Sequence, residues 1–210
     1  MGHYVDMSVF DDKAAEWDTP ERRERARELA DIIRAHVPLS AEMRVLDIGA
    51  GTGLLGLELL ADVASVVLTD PSEGMIAVAR AKIEAERIAG ATAIVFDFPS
   101  AEPPAGAPFD LAVSLLVLHH VEDTEATLRS IHDAVAPGGR IALIDLDRED
   151  GSFHDADQPG IHHHGFERDD LVAMATRVGF EDVTVENVHE LDKEGRRYPL
   201  FLLTGRVPAA

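Results

Sequence analysis

The stretch that decides the fold is Val45-Leu46-Asp47-Ile48-Gly49-Ala50-Gly51-Thr52-Gly53. Four residues of buried-strand character run into glycines spaced G-x-G-x-G, and an apolar helical pattern follows. Glycine permits positive φ and lets a ligand approach the backbone without a Cβ in the way. The helix that follows should expose unpaired N–H groups and a partial positive charge, which suits a nucleotide-like or carboxylate-bearing ligand. Taken alone, the turn could equally be purely structural.

Outward from this turn the chain alternates. Ser65–Thr69 is a second apolar strand, and Asp70-Pro71-Ser72 turns into a helix over 73–88 with Gly90 beyond it. Thr92–Phe96 and Phe109–Leu116 are further strands, separated by a proline-rich connection. Asp123 or Thr124 caps a helix presenting Leu128, Ile131 and Val135, and Pro137-Gly138-Gly139 breaks it before a strand at Arg140–Leu146. Residues 147–166 form a long polar loop, and loops of that length inside compact domains often serve binding. A helix carrying Leu171, Met174, Ala175 and Val178 ends at Gly179. Val183–Val188 and Leu200–Val207, with no helix between them, pair as an antiparallel hairpin. Strands alternating with helices predict a parallel sheet covered on both faces.

Toward the N-terminus, Thr19-Pro20 caps a helix with Ala26, Leu29, Ala30, Ile33 and Val37 on one face, ended by Pro38. Tyr4, Phe10 and Trp17 precede it. The division expected is a helical segment over 1–38 that could act as a lid, and one globular unit over 39–210.

Bulk properties narrow the partners. The formal net charge is −20, which disfavours phosphate backbones and anionic membranes. No run approaches the roughly 20 apolar residues of a membrane span, and no secretory signal is visible. Cysteine is absent, so disulfides and thiolate chemistry are excluded, consistent with a cytoplasmic enzyme. Nothing in the pattern sets the oligomeric state beyond monomer or homodimer.

Asp70 sharpens the ligand. It ends the second strand nineteen residues after Gly51, where a carboxylate in a doubly wound sheet reaches a ribose. A dinucleotide fingerprint counted from Gly49 requires glycine where Leu54 stands, a poor fit. At this point the chain resembles the class I S-adenosylmethionine-dependent methyltransferases, specifically the small-molecule branch with the ubiquinone and menaquinone methyltransferases. Residues 43–207 carry the likeness through blocks in order: Val45–Gly53, Leu68–Met75, Phe96-Asp97-Phe98, Phe109–Ser114, Leu118-His119-His120-Val121, Ala136–Arg140 and His162–Phe166.

The resemblance implies a seven-stranded, mostly parallel, doubly wound Rossmann-like sheet with one antiparallel strand in the C-terminal hairpin. It implies S-adenosylmethionine as cofactor. Backbone at Gly49, Ala50, Gly51 and Gly53 would hold the methionine portion, with Asp47 behind the turn. Asp70 and the adjoining Pro71 would sit at the ribose and Met75 on the adenine. Asp97 and Phe98 would meet the adenine edge, while Ser114 and Leu115 would face the sulfonium. Asp47 and Met75 could equally serve structure alone.

Methyl transfer from a sulfonium chiefly needs alignment of the acceptor, a small molecule on this reading; a base is required only for a poorly acidic nucleophile. His119 and His163 are the candidates, His119 following the fourth strand and His163 in the long loop. Three consecutive imidazoles at 162–164 cannot easily converge on one ion, even with His154, Asp155 and Asp157 nearby. No metal is therefore expected. The alternative from another class is a module that binds S-adenosylmethionine or a related nucleoside without catalysis.

Overall fold

A computed structural model describes residues 8–155 and 158–210; Tyr4 and Asp157 lie outside these. Contacts divide the chain into two compact units. The first comprises residues up to Asp97 with Phe109–Ser114, the second Phe98–Pro108 with Leu115–Ala210.

The first unit contains α1 (Ser8–Lys13), α2 (Pro20–His36), β1 (Arg44–Ile48), α3 (Leu54–Leu59), β2 (Ser65–Asp70), α4 (Glu73–Glu86) and β3 (Ala91–Val95). It also holds most of β4 (Phe109–Leu115). β1 pairs in parallel with β2 and β4, and β2 with β3. Val45, Leu46, Leu111, Ala112 and Val113 are fully buried, as continuous apolar runs in a two-sided parallel sheet must be. α2 begins as expected: Thr19 Oγ1 accepts the Arg22 N–H and Pro20 takes the first helical position. Its buried stripe is Ala26, Leu29, Ala30 and Ile33.

The second unit contains α5 (Thr124–Ala134), β5 (Val135–Leu146), α6 (Arg168–Val178), β6 (Glu181–Lys193) and β7 (Arg196–Arg206). β7 runs antiparallel to both β5 and β6. The seven strands follow the order β3-β2-β1-β4-β5-β7-β6, so the expected mixed sheet with an antiparallel C-terminal hairpin is borne out.

Two boundaries differ from the sequence reading. α5 ends at Ala134, so Val135 belongs to β5 rather than to a helical face. Gly138 (φ +81°) and Gly139 then stay in the ladder through bonds with Val207 rather than ending an element. The hairpin is also longer than the apolar pattern suggested. β6 is mostly exposed, which hides its alternation, and it slips register between Asn187 and His189. Glu194 (φ +55°) and Gly195 (φ +78°) make the two-residue turn between β6 and β7. Positive φ at both positions suits the twist of a tight hairpin.

Candidate functional site

Two clusters of polar residues stand out, one in each unit. In the first unit β1 ends in Gly49 (φ +60°), Gly51 (φ +55°) and Gly53 (φ +86°), all left-handed, which explains the residue type at each position. The turn's donors are less open than the sequence suggested. The Ala50 N–H donates to the Thr69 carbonyl and the Gly53 N–H to the Ala50 carbonyl. The Gly51 N–H donates to Asp70 Oδ2 at 2.8 Å, and the Gly56 N–H to Asp47 Oδ2 at 2.9 Å. A turn whose N–H groups are this committed is a poor cradle for a pyrophosphate.

Gly56 also corrects the fingerprint argument. A Cβ there would lie 2.6 Å from Leu68 Cδ2, 2.7 Å from Asp47 Oδ2 and 2.9 Å from Val66 Cγ1. Gly56 is thus the close-packing glycine of α3, in a pattern counted from Gly51, so Leu54 carries no weight against a dinucleotide. The committed N–H groups weigh against it instead.

Asp47 is 1% exposed, and burial pushes its carboxyl up to about 7; the Gly56 N–H opposes the rise and the charge of Asp70 adds to it. Asp70, at the end of β2, donates nothing and accepts twice, from Gly51 N and from Ser72 N at 2.8 Å. Burial raises it to about 6, the two N–H groups resist, and Asp11 and Asp97 push further upward. Asp97 follows β3 and lies within electrostatic reach of Asp70. Three carboxylates therefore gather beside the glycine turn at the C-terminal ends of consecutive strands, where open α/β sheets bind ligands.

The N-terminal segment joins this cluster. A Cβ on Gly51 would sit 3.6 Å from Trp17 Nε1 and 3.8 Å from Met75 Sδ, so indole and thioether flank the turn. Arg22 stacks over Trp17 at 3.9 Å. Asp18 accepts the Thr52 hydroxyl and pairs with Lys82 at 2.6 Å. Asp11 accepts from Ser72 Oγ at 2.5 Å and from Gly74 N at 2.9 Å, at the start of α4. Pro71 and the buried Met75 belong to this same entry into α4, where Ser72 caps the Met75 N–H. Ser114 is fully buried, and among the described residues its Oγ has no hydrogen-bond partner.

The second cluster is built on the chain after β4. Leu116 takes φ +57°, a costly conformation for a branched residue. That bend turns the chain into a single tight helical turn, Leu118–His120. His119 is 1% exposed, and its Nδ1 lies 2.6 Å from Asp145 Oδ1. Asp145 is fully buried inside the apolar run of β5. Burial acts most strongly on it and upward, but His119 and the Leu146 N–H outweigh it and hold the carboxyl below the usual range. Asp145 is thus ionised and accepts, so His119 Nδ1 carries the proton.

His120 and His154 complete the group. His120 Nδ1 lies 2.8 Å from the Gly160 carbonyl, which can only accept. The ring centroids stand 4.1 Å (119–120), 5.0 Å (119–154) and 5.6 Å (120–154) apart. Burial, with the neighbouring His119, lowers both His120 and His154 to about 4, so both are neutral at pH 7. One nitrogen of each ring lies within 4.8 Å of those of the other two.

The long loop is pinned over this group. Its ends meet through an Asp147–Phe166 bridge and an Arg168–Asp147 ion pair. Gly165 permits the closure, since a Cβ there would come 2.0 Å from the Asp147 carbonyl oxygen. The N–H groups of His162 and His163 both donate to the His119 carbonyl. His163 turns its Nε2 to Thr124 Oγ1 at 3.2 Å and its ring to Phe166. His162 and His164 are exposed. The loop histidine that joins His119 is therefore His154, not a member of the 162–164 run. Sequence reasoning missed Asp145 as well. Its signal was an acid alone inside Ile141-Ala142-Leu143-Ile144-Asp145-Leu146.

Fold and turn together define a doubly wound α/β protein with carboxylates gathered at its first glycine turn. A family model described as a methyltransferase domain matches residues 22–185, and the chain belongs to that family. Among curated relatives it is 31% identical, over 70% of its length, to a ubiquinone biosynthesis O-methyltransferase of Dinoroseobacter shibae. The chain spans 65% of that relative's length. A phosphoethanolamine N-methyltransferase 2 of Haemonchus contortus, solved with S-adenosyl-L-methionine, superposes with TM-score 0.70 at 19% identity. The match covers 87% of this chain and 52% of that one. The [4+2]-cyclase SpnF superposes with TM-score 0.75 at 19% identity, covering 97% and 94% of the two chains. At those identities the likeness is one of fold. Among the described residues no helix is long and apolar enough to cross a membrane.

Proposed function

We propose that the chain is a methyltransferase that takes its methyl group from S-adenosylmethionine and passes it to a small molecule. The observation that carries this reading is the acid-lined glycine turn. Asp70 ends β2 and Asp97 follows β3 beside Gly49–Gly53, where carboxylates can accept from the hydroxyls of a ribose and the amino group of an adenine. On this reading Asp70 accepts from the ribose, Asp97 and Phe98 meet the adenine edge, and Met75 packs on its face. Gly49, Ala50, Gly51 and Gly53 hold the amino-acid tail, Asp47 braces them, and Pro71, Ser114 and Leu115 complete the surround. When bound, the donor supplies an electrophilic methyl group that is displaced in line by the acceptor nucleophile, which gives up its proton. The segment 1–38 acts as a lid, supported by Trp17 and Asp18 lying against the turn.

On the acceptor side the candidate is His119, held from behind by Asp145 at 2.6 Å. His163, engaged by Thr124, anchors the loop instead. The acceptor reading draws on the family and on the O-methyltransferase relative. The net charge of −20 favours a small molecule over nucleic acid, and a cysteine-free chain suits the cytoplasm, as monomer or homodimer.

Calorimetric titration with S-adenosylmethionine, its demethylated product and NAD tests the donor, and transfer of labelled methyl to quinols, phenols, amines and carboxylic acids tests the activity. Binding of NAD without binding of S-adenosylmethionine sinks the reading. Because a cyclase shares the fold, tight donor binding with no labelled product from any acceptor would leave only a binding role.

A further inference from the structure

We propose that His119, His120 and His154 form a binding site for one divalent transition-metal ion, of the zinc or cobalt type. The proposal goes beyond methyl transfer and does not rest on it.

The first support is convergence. The three rings come from two separate segments, the turn after β4 and the long loop, and one nitrogen of each lies within 4.8 Å of the others. Around a tetrahedral ion with metal–nitrogen bonds near 2.0–2.1 Å, ligand nitrogens stand about 3.3 Å apart and ring centroids about 5 Å apart. The observed centroids, at 4.1, 5.0 and 5.6 Å, bracket that spacing. Small side-chain rotations bring the nitrogens the rest of the way.

The second support is the state of the nitrogens. Among the described residues, His119 Nε2 and His154 Nε2 are both buried without a hydrogen-bond partner. Buried polar atoms normally find one, so two orphans in a single cluster point to something absent from the protein itself. The opposite nitrogens are held: His119 Nδ1 by Asp145 at 2.6 Å and His120 Nδ1 by the Gly160 carbonyl at 2.8 Å, while Gln158 hydrogen-bonds the His154 ring. Asp145 and the Gly160 carbonyl can only accept, so Nδ1 of His119 and of His120 donates, and Nε2 is the nitrogen of each ring that would ligate the ion. A carboxylate or carbonyl behind a histidine is how ligating imidazoles are oriented in metal sites.

The chemistry of the ligand set names the class of ion. Three imidazoles suit zinc, cobalt, nickel, copper or iron(II), and disfavour magnesium and calcium, which take oxygen. Three protein ligands leave a fourth position open, the pattern of reactive rather than structural sites. Phe153 stacks edge-on to His154 at 4.8 Å and to Tyr198 at 5.0 Å, and the Lys193 ammonium lies over the Phe153 ring at 5.5 Å.

The test uses the untagged full chain. Cobalt(II) is titrated in and followed by its visible absorption, then displaced with zinc, and zinc binding is measured by calorimetry. The expected result is saturation at one equivalent with bands of a nitrogen-rich, low-coordinate ion. His154→Ala should weaken binding by at least the roughly 10–100-fold that losing a ligand-orienting partner costs, and Asp145→Asn should weaken it within that range. Asp145 is in the core, so circular dichroism accompanies its variant; His154→Gln, in the loop, supplies a second variant that spares the core. His162→Ala, at an exposed ring, should bind as the parent does. Absence of saturable binding overturns the proposal. So does binding that survives His154→Ala and His154→Gln, or that is lost in His162→Ala, which would move the ion to the surface run.

Discussion

Asp47→Asn should make the protein's stability less dependent on pH, and the size of the effect follows from the burial of that carboxyl. The substitution keeps the shape and an oxygen to accept the Gly56 N–H, and removes only the charge. In the folded chain burial pushes the Asp47 carboxyl up to about 7, against about 3.9 for a free aspartate. A raised folded value means that the folded state holds the proton more tightly. The resulting stabilisation is complete below the unfolded pKa and is lost as pH climbs through the folded one. Between pH 5 and pH 8 the linkage relation gives a loss of roughly 2–3 kcal/mol from this group. Asp70, raised to about 6, loses stability in the same direction and shares the background with the self-repulsion of an acidic chain. Comparing variant with parent cancels most of that background. Urea unfolding at pH 5 and pH 8 should therefore show the parent losing about 2–3 kcal/mol more than Asp47→Asn does. Equal losses in the two proteins would show that the folded chain does not raise Asp47, and so would a parent that gains stability as pH rises through this window.

Other substitutions probe contacts at single points. Gly56→Ala places a methyl within 2.9 Å of Leu68, Asp47 and Val66, so a loss of about 1–3 kcal/mol is expected in denaturant unfolding despite the better helix propensity of alanine. Gly165→Ala puts a Cβ 2.0 Å from the Asp147 carbonyl at positive φ; faster proteolysis within 147–166, with little change at β1 or β2, is the expected outcome. Asp18→Asn weakens the ties to Lys82 and Thr52 that hold the N-terminal segment on the glycine turn. If that segment is a lid, donor affinity should fall while the melting temperature moves by only a few degrees; unchanged affinity measured by calorimetry counts against it.

The local record was legible wherever a residue type answers a backbone demand. Gly49, Gly51 and Gly53 announced a left-handed turn, Thr19-Pro20 a helix start, and Ser72 a cap, because these effects act over a few residues. The hairpin was half legible: β6 lies exposed, so its strand character sits in pairing with β7 rather than in an apolar pattern. The candidate site divided in the same way. The positions of Asp47 in β1, Asp70 at the end of β2 and Met75 in α4 could be read because short spacing along the chain fixes them. The N–H groups of the glycine turn could not, since whether they are spent on Thr69, Asp70 and Asp47 depends on neighbouring strands.

By itself, then, the sequence determined the alternation of strands and helices, the glycine turn with its following acid, and through them the family. These are written in periodicity and short spacing, which survive without coordinates. Only the tertiary structure decided which histidines meet. The run His162-His163-His164 offered His163 as the loop candidate beside His119, yet the structure turns His163 to Thr124. His154 reaches His119 and His120 because Gly165 lets the loop close on Asp147. Asp145, twenty-six residues from His119 in sequence, comes to 2.6 Å because their segments meet in space. Convergence of that kind is a property of the packed chain and leaves no spacing behind to be read.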